Sequence, residues 1–208
     1  MPVKKRKEMK KSIIAVVIVV LFIGCSKENN KTSYKINNVS KGIWKGSAPD
    51  HFHTGFIDVK GDFLVNSSGK IDEGDFVIPI SSIENYDLTG QDKIDLLNHL
   101  KSDDFFNLLK YPEATFHITK VETYSGTDGI ADANYKITGD FSLIGQTHEL
   151  SFPAKIKTTS DSIFTQATFS FNRLKWGMTS FSDPSPGKLY ILPDIDISLF
   201  IGAGKVKH

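Results

Sequence analysis

The residues best equipped for chemistry are few and dispersed. His51-Phe52-His53 sets two imidazoles two positions apart, so on an extended strand both face the same side, which is half of a metal site. The other four histidines, His99, His117, His148 and His208, lie in separate segments, and no acidic or cysteine partner stands at a recognised ligand spacing. Structural or solvent-facing histidines are expected, and no metal. The acidic clusters Asp72-Glu73-Gly74-Asp75 and Asp128-Gly129-Ile130-Ala131-Asp132 lack the alternating oxygen ligands and closing glutamate of a calcium loop and read as turns. There is no Gly-x-Ser-x-Gly elbow, phosphate-cradling loop or dinucleotide fingerprint, so no catalytic residue and no cofactor are assigned, and the chain is not expected to be an enzyme.

One reactive group remains, the thiol of Cys25, the sole cysteine in 208 residues. Before it runs a basic stretch (Lys4, Lys5, Arg6, Lys7, Lys10, Lys11) and then twelve uncharged residues, Ile13 to Gly24. A helix needs about 20 apolar residues to cross a bilayer, so residues 1–24 read as a cleaved signal peptide. Leu21-Phe22-Ile23-Gly24-Cys25 resembles the lipobox of bacterial lipoproteins, with Phe22 where that motif usually carries Leu. The resemblance implies a thioether-lipidated Cys25 at the mature N-terminus, held to a membrane through this anchor. Ser26 after the cysteine suggests the outer membrane, by the sorting rule of some bacteria. The polar residues that follow complete a flexible tether over 25–33. A lone cysteine cannot staple a fold, so the domain must rest on its core.

Residues 25–208 hold 19 basic and 23 acidic side chains, a net charge of −4, whereas the whole chain is +1. A mildly acidic domain without a basic run is not a nucleic-acid binder, because such binding depends on neutralising phosphates. The 184 residues suffice for one domain with a sizeable core.

What must position any site is sheet. Ile57, Val59, Phe63 and Val65 share one parity against Asp58, Lys60, Asp62 and Asn66. Tyr135, Ile137, Phe141 and Leu143 oppose Lys136, Thr138, Asp140 and Ser142, and Ile195, Ile197, Leu199 and Ile201 oppose Asp194, Asp196 and Ser198. Period-two alternation of this kind makes strands with one dry face. Turn signals at Asn66-Ser67-Ser68-Gly69, Asp72–Asp75, Ser125–Gly129 and Ser160-Asp161-Ser162 divide the chain into about eight strands. From Asp92 to Leu109 the apolar spacing is helical instead, and Pro112 closes that insert. Such a succession must stack two sheets or roll into a barrel, and the alternation alone selects neither.

Fifteen phenylalanines stand out, and a well-filled core accounts for most of them. Trp44-Lys45-Gly46, His53-Thr54-Gly55, Gly74–Ile83, His99–Phe106, Tyr111–Phe116, Ile137–Gly145 and Arg173–Met178 together, in order and spacing, resemble the YceI-like lipid or polyisoprenoid-binding domain over nearly all of residues 34–203. The resemblance implies an extended, lipocalin-like antiparallel β-barrel of about eight strands over 34–206, with a short helix packed at one end and a tunnel for an isoprenoid chain or similar amphiphile. The expected lining positions, each on an apolar parity, are Ile57, Val59, Phe76, Ile78, Phe116, Ile118, Phe141, Leu143, Phe152, Phe169 and Trp176.

The expected function is that of an envelope lipoprotein binding a lipid, isoprenoid quinone or fatty-acid-like amphiphile. The alternative is a structural or adhesion lipoprotein with a filled interior and no ligand. A homodimer is left open by the sequence.

Overall fold

The computed structural model describes residues 1–2 and 31–207; all but the first two residues of the expected signal peptide lie outside them, as do Cys25 and most of the tether. Thr32 and Ser33, expected in the tether, already belong to the first strand.

That strand, β1 (Thr32–Ile36), is followed end to end by β2 (Lys41–Ser47), and β3 (Phe52–Asp58) is followed likewise by β4 (Lys60–Val65). β5 (Ile71–Pro79) passes through one 3-10 turn into the two-residue β6 (Glu84–Asn85). After helix α1 (Gly90–Lys101) come β7 (Glu113–Thr123), β8 (Tyr135–Leu143), β9 (Gln146–Thr158), β10 (Ser162–Asn172) and β11 (Asp194–Lys205). Every pairing is antiparallel. Eight strands close a ring in the order β1-β4-β5-β7-β8-β9-β10-β11, and β1 returns to β11 through Tyr34 opposite Lys205 and Ile36 opposite Ala203. The choice between sandwich and barrel is made by these closing bonds, which leave the ring no free edge. At one end β2, β3 and β6 extend the wall outward from β11.

The three alternating segments fall on β3 and β4, β8, and β11, with Val59, Phe63, Val65, Ile137, Phe141, Leu143 and Ile201 buried on the inner face. Gly61, on the same parity, has a φ of +136°, and a Cβ there would sit 2.0 Å from the Asp75 carbonyl, so β4 can approach β5 only because a glycine occupies this place.

Two expectations are corrected. Asp72–Asp75 is not a turn but part of β5: Gly74 faces inward beneath the Phe76 ring, while Asp72 and Glu73 bind Lys31. Helix α1 ends at Lys101 rather than running on to Leu109. There the Ser102 hydroxyl donates to the His99 carbonyl at 2.7 Å, and Asn107 takes a positive φ of 47°, so Ser102–Leu109 is a series of turns. The apolar spacing persists because Phe105 turns into the core, while Leu109 is fully exposed.

Candidate functional site: the barrel cavity

Inside the barrel lies a cavity of about 370 Å³ whose wall is almost wholly apolar. A structural domain with a filled interior would have no such space. One end is solid: Tyr34, Val65, Ile71, Ile156, Ile163 and Ala203 are all buried there and lie outside the cavity wall. At the other end the cavity opens between the β2–β3 hairpin, helix α1 and the long loop before β11, beside the exposed Leu189 and His51.

Ten of the eleven expected positions line this space: Ile57 and Val59 on the β3–β4 bend, Phe76 and Ile78 on β5, Phe116 and Ile118 on β7, Phe141 and Leu143 on β8, Phe152 on β9 and Phe169 on β10. Five rings form a continuous band across the wall. Phe63 meets Phe76 at 5.1 Å, Phe76 meets Phe116 at 6.2 Å, Phe116 meets Phe152 at 5.7 Å, and Phe152 stacks on Phe169 at 4.2 Å between centroids. Phe116 and Phe152 sit on β7 and β9, with β8 between them. They meet because β8 presents Gly139, where a Cβ would lie 2.5 Å from the Phe116 ring. Rings at these separations fill the wall yet leave the axis open.

Trp176, the eleventh, does not line the cavity. It lies in the 3-10 turn Arg173–Trp176, is 2% exposed, and donates from Nε1 to the Phe141 carbonyl at 2.9 Å. Its ring packs 5.3 Å from that of Phe141 and 5.4 Å from that of Phe171, bracing these two wall residues. Its apolar size suited an inward position, but its indole N–H needed an acceptor, and a strand-end carbonyl supplied one.

The sequence reading missed the polar members of the wall. Arg173 is fully buried and donates to the carbonyls of Leu192 (3.3 Å), Ile191 (2.9 Å) and Met178, which ties the loop before β11 to the mouth. Burial holds its guanidinium below the usual arginine range. Only its place two residues before Lys175-Trp176-Gly177 set it apart from a surface cation. Deeper in, Thr165 is 3% exposed and its hydroxyl has no hydrogen-bond partner among the described residues.

The histidines resolve into pairs. His51 bonds Asp50 at 2.7 Å, His53 bonds Asp87 at 2.7 Å, His99 bonds Asp104 at 3.0 Å and His117 bonds Asp75 at 2.6 Å. His51 and His53 do share a side, with ring centroids 5.5 Å apart, and both edge the mouth. Burial pushes the Asp87 carboxyl up, but the Thr54 N–H, His53 and Asn85 together hold it below the usual carboxylate range. Among the described residues no group of three or more His, Cys, Asp or Glu side chains is placed to hold a metal ion.

Residues 34–203 match the model of the YceI-like domain. The chain belongs to the YceI-like family. Protein YceI of Escherichia coli O6:H1 is 29% identical over 154 residues, covering 71% of this chain and 73% of that protein. A solved polyisoprenoid binding domain from Saccharophagus degradans, described as implicated in plant cell wall breakdown, superposes with a TM-score of 0.60 at 13% identity, over 84% of this chain and 99% of that one. Burkholderia cenocepacia BcnA gives 0.59 at 14% identity, over 79% and 96%. The Campylobacter jejuni YCEI protein gives 0.55 at 22%, over 72% and 82%. These likenesses show that the closed barrel with one short helix is the architecture of YceI-like domains.

Proposed function

We propose that this protein is a lipid-anchored lipoprotein of the cell envelope that carries a long apolar chain, an isoprenoid or a fatty-acid-like amphiphile, inside its barrel. The observation that carries this reading is the apolar cavity, closed at one end and open at the other. A chain drawn into it leaves water along its length, at about 25 cal/mol per Å² of apolar surface removed, so affinity resides in the tail. His51 and His53, with ring centroids 5.5 Å apart, edge the mouth, where a head group would rest. That a YceI-like neighbour is described as a polyisoprenoid binding domain supports the ligand class. Anchoring rests on Cys25 and the lipobox-like residues before it, and a carrier of this kind acts by binding rather than catalysis.

Native mass spectrometry of the gently purified protein, with organic extraction of whatever is released, tests the reading. A stoichiometric lipid adduct is expected. A protein that is empty and also takes up no added isoprenoid quinone or fatty acid would overturn it.

A further inference from the structure

The mouth of the cavity lies at one end of the barrel, and the chain enters the barrel at the solid end. β1 begins at Thr32 beside the solid end, and this entry is fixed there: the Lys31 ammonium binds Asp72 at 2.6 Å and Glu73 at 2.5 Å, and the Val206 N–H donates to the Ser33 carbonyl at 2.9 Å. From Thr32 the β1–β2 wall climbs the full height of the barrel and reaches the mouth at Ser47. β11 runs 12 residues along the same wall. At about 3.3 Å per residue and a tilt near 40°, that is a height of about 30 Å. From Cys25 to Lys31 there are six residue steps, which span no more than about 20 Å even fully extended.

We infer that the mouth of this barrel faces away from the membrane that holds Cys25 and exchanges its ligand by dipping its rim into a second, opposing lipid surface. This rests on the proposed lipid-binding and anchoring reading. Turning the mouth back to the anchoring bilayer would require the tether to cover the barrel's height, and it is too short. The rim itself suits a bilayer. Phe52, the first residue of β3 beside the hairpin loop, is 53% exposed with the Lys45 ammonium 4.6 Å from its ring, and Leu189, on the neighbouring loop, is 58% exposed while also lining the cavity. The two elements are joined by the Leu192 N–H donating to the Ser47 carbonyl at 2.8 Å. An apolar chain leaving the cavity therefore passes Leu189, which carries the apolar wall out to the exposed rim. Two protruding side chains fall far short of the roughly 800 Å² per partner that a stable protein interface takes, but they suffice to enter the boundary between head groups and acyl chains.

The test uses the full chain expressed with its leader, recovered from membranes in mild detergent and reconstituted into phosphatidylcholine vesicles. A pyrene-labelled polyisoprenol is placed either in those vesicles or in a second population, and uptake is followed by energy transfer from Trp44, which lines the cavity. Uptake from opposing vesicles is expected to be at least tenfold faster than from the vesicles carrying the protein. Inserting about 30 Gly and Ser residues between Asn30 and Lys31 should raise uptake from the protein's own vesicles to the opposing rate. Phe52→Ser should slow uptake from opposing vesicles about tenfold without changing equilibrium binding of the probe in detergent micelles, since Phe52 lies outside the cavity wall. Equal native rates from the two populations would overturn the orientation. An opposing rate indifferent to Phe52→Ser would overturn insertion of the rim into the opposing bilayer. Failure to bind the probe even in micelles would instead sink the lipid-carrier reading, which separates the two.

Discussion

The two ends of the barrel are built from the same alternation and come out differently. At the solid end the inward positions carry mainly small and β-branched side chains, Ala154, Ala167, Ala203, Val65, Ile156 and Ile163, packed around the single ring of Tyr34, and these interlock until Ile163 and Ala154 have no exposed surface. Towards the mouth five phenylalanine rings band the wall among aliphatic side chains, and the space between them stays open. The same eight-stranded circumference is thus a packed core at one end and a container at the other. Inner-face alternation specifies burial, and side-chain shape specifies whether the buried space is filled.

Substitutions can break that comparison. The largest effect is expected from truncation at the solid end: Ile163→Ala should cost about 2–5 kcal/mol, read from denaturant midpoints, because the interlocked neighbours cannot close the gap. The same truncation at Ile197, on the cavity wall, should cost less than about 1.5 kcal/mol, since that side chain already faces space. Comparable losses at the two sites would show that the cavity collapses in solution.

Filling the container sharpens the contrast from the other side. Ile197→Trp should lower ligand occupancy in native mass spectra by at least tenfold, which is about 1.4 kcal/mol, while shifting stability by no more than about 1.5 kcal/mol. Binding that survives an obstructed cavity would place the ligand elsewhere.

Smaller still is Thr165→Val, which replaces a buried hydroxyl without a partner by a methyl and should raise the stability of the ligand-free protein by about 1 kcal/mol in thermal unfolding. A loss would mean that the hydroxyl has a partner in solution.

The smallest effect is expected outside the barrel. His117, on the outer face, is held above its ordinary value by the hydrogen bond to Asp75, against a small opposing effect of burial. A raised folded-state pKa means that the pair's stabilisation is complete below the unfolded value of about 6.5 and fades as pH rises through the folded value. Both groups are well exposed, so the contribution should stay under about 1 kcal/mol. An NMR titration of His117 should show a midpoint above 6.5 that falls towards it in Asp75→Asn.

Much of the fold was legible because period-two alternation is local. Ile57 to Val65, Tyr135 to Leu143 and Ile195 to Ile201 needed only their own parity to be placed, and ten of the lining positions followed from it. Three errors arose, two of them where a distant group decided the outcome. Asp72–Asp75 has the composition of a turn, but Lys31 and the Phe76 ring hold it in β5. Ser102–Leu109 keeps an apolar rhythm after the helix has stopped. Trp176 packs in the core beside the wall, where its indole N–H finds the Phe141 carbonyl. Arg173 was invisible as a buried group because its partners, three carbonyls of the loop around Met178–Leu192, are set by tertiary approach.

By itself, then, the sequence determined the strands, their dry faces, the family and the ring-rich inner surface, since all of these rest on residue types at short spacing. Only the tertiary structure decided that β1 would bond to β11 and close the ring, that one end would pack solid while the other stayed open, and that the chain would enter opposite the mouth. Those features depend on contacts between residues such as Tyr34 and Lys205, 171 positions apart, whose pairing no local pattern encodes.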